Sequence, residues 1–343
     1  MGILNERERK ILELIMNSYI VSAEPVGSRT LSKLINSKWS SATIRNVMAD
    51  LEERGFLYKP HVVAGRIPTG KAFRYYVNTL LVPRSPGKRE LLVLEGLISH
   101  RYSQVGDIME DASRMLANLC KYTGIVVEPK MDFMLFKEVE FVKLSKTTIL
   151  VVFVTSSGMV HTRLVNTEEE LPQELLNGMK GYMNERCEGL PFYALRKDIF
   201  EDMARDREAF HSLMGKIMDV LEQIMEKEEG REVYLEGTSK FIGVPELSDI
   251  NRLRDLFQAF ERKEKLLKLL DRSMEQEGIN VIIGAETEVK EMRDMSIIIS
   301  PYGIDQKNHG VLGVIGPLRM NYSKIIPIVH YTAQAVTDLL RAM

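Results

Sequence analysis

Cysteine is nearly missing from this chain. Of 343 residues only Cys120 and Cys187 are cysteines, far apart and without metal-ligand spacing. That argues against a disulfide framework or a cysteine-ligated metal centre, and it suits a reduced, cytoplasmic protein. Long apolar runs are missing too. The longest, about Ile149 to Val154, has the length of a buried strand, far short of the roughly 18 residues of a membrane span. The first ten residues, MGILNERERK, mix acids and bases and show no signal-peptide pattern, so no membrane partner is expected. Phosphate-binding Gly-x-x-x-x-Gly-Lys-Ser/Thr and dinucleotide-binding Gly-x-Gly-x-x-Gly loops are absent. Gly310, Gly313 and Gly316 lie within and just after a strand pattern and read as close packing or turn chemistry. The six histidines are scattered with no His-x-x-x-His, and no Ser, Cys or Asp sits in a nucleophile motif. We assign no catalytic residue, no cofactor and no metal, and read the chain as not an enzyme.

What is present begins with a charge asymmetry. The net charge of −2 divides into +5 over residues 1–82, where 12 Lys and Arg face 7 Asp and Glu, and −7 over the rest. A basic end on an acidic body suits a protein that sets one module on a phosphate backbone.

The organising stretch is Trp39 to Gly70. Ser40 is a fitting N-cap, and Trp39 with Ile44 has the spacing of a hydrophobic staple. Ile44, Val47, Met48 and Leu51 recur at i, i+3, i+4 and i+7, which predicts one apolar helix face. Gly55 stops the helix as a left-handed C-terminal residue. The opposite face shows Ser41, Thr43, Arg45 and Asn46, types that read base edges: Arg pairs bidentately with guanine and Asn with adenine. Upstream, Asn5 and Glu8 have capping-box spacing ahead of a helix striped by Ile11, Leu14, Ile15 and Tyr19. A second short helix from Ser28 carries Leu31, Leu34 and Ile35 and turns tightly over Asn36–Trp39 into the third. Downstream, Phe56-Leu57-Tyr58 reads as a strand with Val62-Val63 as its return partner and Gly65-Arg66 near the ribbon's tip or end. Helix, turn, polar helix and β-ribbon make the winged helix-turn-helix pattern. Ser40, Ser41, Thr43, Arg45 and Asn46 are then the candidate DNA-reading residues. Arg29, Lys33, Lys38, Lys59, Arg66, Lys71 and Arg74 are the candidate phosphate contacts, with His61 in the ribbon as a further one.

Val82 to Lys88, with two prolines and a glycine among charges, reads as a linker. Helices are expected over 90–99 and 104–122, then strands over 125–127, 137–144, 147–155 and 159–165. A helix capped by Thr167 follows, and then a helical excursion over about 187–230 whose second helix has a wide Met-rich face. Strands return at 233–235, 281–284, 296–300 and 310–315, around a charged helical region over 247–277 and before a final helix from Ser323. Strands, a helical interruption, more strands and a closing helix suggest one α+β domain carrying an insertion.

Four motifs, Ser40 to Asn46, Ala64 to Thr69, Phe73 to Val77 and Gly313 to Tyr322, closely resemble the bacterial heat-inducible transcription repressor HrcA family. They lie at both ends, so the resemblance spans essentially the whole chain. Leu318 departs from the smaller polar residue expected there. The resemblance implies a multidomain α+β fold: a winged-helix domain over 1–82, a linker and connecting helix over 83–103, and a GAF-like domain over 104–186 and 231–343. A helical dimerisation insertion would occupy 187–230. It implies a homodimer that binds an inverted-repeat operator in double-stranded DNA and represses chaperone genes, with a GroE-type chaperonin keeping it active. The alternative is a winged-helix regulator whose GAF-like domain senses a metabolite.

Overall fold

The computed structural model describes residues 4–34, 39–61, 64–102, 105–129, 134–156, 158–192, 194–195, 215–220, 231–274, 278–303 and 309–342. At the N-terminus α1 (Glu6–Ser22) starts at the expected capping box: Glu8 N donates to Asn5 Oδ1 at 2.9 Å and Asn5 N to Glu8 Oε2 at 2.8 Å. Its buried face is Ile11, Leu12, Ile15, Met16 and Tyr19. Helix α2 (Ser28–Leu34) leads into α3 (Ser41–Glu53), which buries Ile44, Val47, Met48 and Leu51, and Gly55 takes φ +74° just beyond it. The stop works as the sequence suggests, because only a residue without a Cβ enters that region without cost.

The ribbon after α3 differs from expectation. Strand β1 (Leu57–Tyr58) pairs antiparallel with β2 (Ile67–Pro68), Leu57 opposite Pro68 and Tyr58 opposite Ile67. Val62 and Val63 lie outside the described residues, and the return strand is the segment after Gly65-Arg66. Pro68 is admissible because a two-strand ribbon is all edge. Thr69 caps α4 (Gly70–Tyr75), which runs on as a wider π turn over Tyr76–Leu80.

Beyond α5 (Lys88–Ser99) and α6 (Val105–Cys120), the body is a five-stranded antiparallel sheet. Its strands are β3 (Thr123–Val127), β7 (Val233–Glu236), β8 (Asn280–Ile283), β9 (Met295–Gly303) and β10 (His309–Pro317), in the order β7-β3-β10-β9-β8. Apolar residues alternate between its faces. Val126, Ile298, Leu312 and Val314 join the core under α6 and the C-terminal helix α10 (Tyr322–Ala342). Ile125, Ile297, Ile299 and Ile315 join a second core under α8 (Ile250–Glu261) and α9 (Lys263–Met274). Helices on both faces make a three-layer unit. Gly313 has no room for a Cβ, which would fall 2.1 Å from the Ile298 carbonyl oxygen, and at Gly310 one would strike the Tyr302 ring. The glycine spacing is therefore strand packing.

Strands β4 (Phe136–Lys143), β5 (Thr148–Thr155) and β6 (Val160–Asn166) form a separate three-stranded sheet, with α7 (Gln173–Arg186) packed on β4. The chain leaves the body at the end of β3 and re-enters beside it. Val127 pairs with Val233, and Glu128 N donates to the Glu232 carbonyl at 3.2 Å. The segment between Val127 and Val233, which includes β4–β6, therefore leaves and rejoins the body at adjacent strands, whereas the sequence reading starts the excursion at residue 187. Buried Glu128 marks the junction. It accepts from Glu232 N at 3.2 Å and Tyr234 Oη at 3.3 Å, while burial holds its carboxyl above the usual range. Cys120 and Cys187 are both buried, and burial pushes the Cys120 thiol up to about 12. No described helix is long and apolar enough to cross a membrane.

Candidate nucleic-acid interface

Helix α3 owes its position to both of its ends. At the start, Ser40 Oγ accepts from Thr43 N at 3.1 Å and lies 2.9 Å from Thr43 Oγ1. Ser41 Oγ lies 3.1 Å from Ser28 Oγ on α2, and Ser32 Oγ donates to the Trp39 carbonyl at 3.4 Å. At the far end Arg54 donates to Glu8 of α1 at 2.8 Å, so the residue that caps α1 also anchors α3. Arg7 stands 5.8 Å from the Trp39 ring centre. The Ser40 cap is a local signal; the ties to α1 and α2 were not legible locally, because each joins residues of different elements.

Three of the expected reading residues thus have structural work: Ser40 and Thr43 cap the helix, and Ser41 joins it to α2. Arg45 and Asn46 are exposed, one turn into the helix and opposite its buried face. Neither side chain has a hydrogen bond or ion pair among the described residues. Arg29 and Lys33 are exposed on α2, which packs on α3, and His61 is exposed beyond β1. Lys38 lies outside the described residues.

Three cations expected to meet phosphate are engaged inside the protein. Arg66 Nε donates to Glu52 at 2.9 Å with its side chain only 17% exposed, and its backbone exchanges two 2.9 Å hydrogen bonds with Val26. Gly65 makes that bridge possible, since a Cβ there would sit 2.5 Å from both Val26 C and Val26 O. The Ala64-Gly65-Arg66 motif is thus the root of the ribbon, held against the α1–α2 loop. Lys71 Nζ donates to the Arg54 carbonyl at 2.7 Å and lies 4.7 Å from the Phe56 ring centre, within cation–π range. Arg74 faces the body and pairs with Glu286. Long basic side chains reach inward as readily as outward, and sequence spacing does not distinguish the two. Among the described residues no group of His, Cys, Asp and Glu could hold a metal ion.

Residues 106–326 match the family model described as HrcA protein C terminal domain. The chain is 42% identical to the heat-inducible transcription repressor HrcA of Geobacter sulfurreducens over 337 residues, 98% of each chain. It is 37% identical to that of Syntrophobacter fumaroxidans, covering 99% of this chain and 98% of the other. It is 32% identical to that of Brevibacillus brevis, again over 98% of each. A solved structure described as a hypothetical protein shares the fold, with a TM-score of 0.64 at 22% identity over 99% of both chains.

Proposed function

The chain belongs to the HrcA family of heat-inducible transcription repressors, and on that premise we propose how it represses. The N-terminal module is a winged helix, with α3 as the helix that enters the major groove and the β1–β2 ribbon as its wing. Arg45 and Asn46 read base edges, while Arg29, Lys33 and His61 meet phosphates. The observation that carries this reading is the pairing of exposed Arg45 and Asn46 side chains, unengaged among the described residues, with a buried opposite face on one capped helix. The protein acts in the cytoplasm as a homodimer on an inverted-repeat operator of chaperone genes, its two-fold axis matching that of the DNA. Repression is steric, by occupation of promoter DNA.

We place the insertion between Glu128 and Arg231, with the five-stranded unit as the GAF-like domain; the adjacent exit and re-entry of the chain support that boundary. The family resemblance supports a GroE-type chaperonin as the partner that keeps the repressor active. The metabolite-sensing alternative has less support. A groove of about 1150 Å³ beside β8 is lined largely by charges, among them Arg74, Lys265, Lys268, Glu286, Lys290 and Glu291. Small-ligand sites are mostly apolar with few polar groups. Selection of bound sequences from random duplexes tests the proposal. A palindromic product supports it, and failure to enrich any duplex in dilute salt with chaperonin present refutes it.

A further inference from the structure

The stretch from Val82 to Lys88 has the composition of a tether, yet the N-terminal module is fastened to the body at three places around it. The first is Arg74 on α4. Its Nε donates to Glu286 Oε1 at 2.8 Å, and its Nη2 donates both to Glu286 Oε2 and to the Val281 carbonyl of edge strand β8. Glu286 in turn accepts from Ile283 N at 2.8 Å. The pair therefore occupies outward-facing backbone groups of β8 as well as each other. Two-point pairing of guanidinium and carboxylate fixes an angle as well as a distance.

The second is aromatic. Phe73 packs against Tyr322, ring centres 6.2 Å apart, and the buried Tyr322 hydroxyl lies 2.7 Å from both Ser296 Oγ and the Leu318 carbonyl oxygen. The third is the linker backbone. Pro327 inside α10 has no N–H for the Ser323 carbonyl four residues earlier, and that carbonyl accepts from Arg84 N at 3.1 Å instead. Arg84 and Lys324 then both pair with Glu90, at 2.9 and 3.2 Å. A module held by α4, by an aromatic pair and by its own linker does not swing freely on the body.

We propose that this joint, latched by Arg74 and Glu286, makes the protein a ruler that sets the spacing between the half-sites it reads. The inference rests on the reading of the chain as a two-fold dimer on an inverted repeat. In such a complex the separation and relative rotation of the two α3 helices must match those of the half-sites. One added base pair shifts a half-site by about 3.4 Å along the axis and turns it by about 35°, since a helical turn holds about 10 base pairs. A loosely tethered module would follow that movement. A latched module follows only by breaking its joint, so an off-length spacer is rejected. Arg74 and Glu286 are then positioning residues for operator choice, and neither touches a base.

The test uses the full chain and a set of duplexes. The selected operator has its central spacer lengthened or shortened by one and two base pairs, alongside a duplex with a single half-site. Wild type should lose about tenfold or more in affinity for a one-base-pair change, and Glu286→Ala less than about threefold. Arg74→Lys keeps the charge but not the fork, and should flatten the spacer profile in the same way. Single half-site affinity of Glu286→Ala should stay within about twofold of wild type. Spacer profiles as steep in both variants as in wild type would overturn the joint's role while leaving the operator reading intact. A fall in half-site affinity in Glu286→Ala would also overturn it, since the latch would then act on the reading module itself. Wild type that binds a single half-site as tightly as the repeat would overturn both the ruler and the reading beneath it.

Discussion

Adding one methyl group at Gly65 should loosen the whole N-terminal module. The Cβ of Gly65→Ala would lie 2.5 Å from Val26 C and Val26 O and 2.7 Å from Pro25 C. All three are backbone atoms, so no side chain can rotate away, and the ribbon root must separate from the α1–α2 loop by about an ångström to restore ordinary contact. Overpacking of this kind costs about 1–3 kcal/mol. The displacement also strains the two 2.9 Å hydrogen bonds between Val26 and Arg66, worth about 1 kcal/mol each. A total near 3 kcal/mol follows by order of magnitude. Trp39 is the single tryptophan and stands at the α2–α3 turn, so its fluorescence in urea reports on this module rather than on the body. The Trp39 midpoint should fall by about 1 M or more. Gly55→Ala is the control: nothing lies within 4 Å of the added Cβ, and only the φ of +74° opposes it, a cost of about 1–2 kcal/mol. A Gly65→Ala midpoint equal to wild type, or above that of Gly55→Ala, would refute the packing argument.

Glu52→Gln removes the carboxylate that holds Arg66 at 2.9 Å. The pair is partly exposed, so the Trp39 midpoint should drop by no more than about 1 kcal/mol in equivalent stability. Because Arg66 is released, affinity for random duplex should rise slightly; an unchanged midpoint together with weaker DNA binding would show that Arg66 does not serve the ribbon root. His161 stacks on Phe153 at 5.1 Å, and burial first, then the Arg163 charge, lowers its imidazole to about 4 from 6.5. A depressed histidine binds its proton later folded than unfolded, so stability is lost as pH falls from about 6.5 towards about 4. The loss approaches about 3 kcal/mol and should be confined to the three-stranded unit. Hydrogen exchange of β5 and β6 at pH 7 and 4.5 checks it. Protection that falls equally in His161→Leu would assign the acid effect elsewhere.

Local signals carried much of the N-terminal module. The Asn5–Glu8 box, the Ser40 cap, the apolar stripe of α3 and the stop at Gly55 all depend on neighbours within four residues, and each is where the sequence puts it. The ribbon was harder to read. Two-residue strands show no alternation, and Val62-Val63 has stronger strand propensity than Ile67-Pro68, the pair that returns. What decided the matter was a backbone bridge to Val26, forty residues away. The same distance problem hid the partners of Arg66, Lys71 and Arg74: each is a cation in a basic segment, and each finds an acceptor on another element. The start of the excursion was hard to read for another reason. β3 and β5 are similarly rich in branched apolar residues, and strand periodicity says nothing about which sheet a strand joins. Only the register of β3 against β7 and β10 separates them. The consequence of Pro327, a freed Ser323 carbonyl that holds the linker, depends on Arg84, which lies about 240 residues away in the chain.

On the proposed function, α3 reads bases through Arg45. The most direct measurement of this is the affinity of Arg45→Ala for the selected operator and for a random duplex of equal length, at one salt concentration. A loss of about 1–3 kcal/mol, roughly 5- to 150-fold, is expected on the operator with little change on random DNA. Equal loss on both duplexes would reduce Arg45 to a phosphate contact, and no loss on either would remove α3 from the groove.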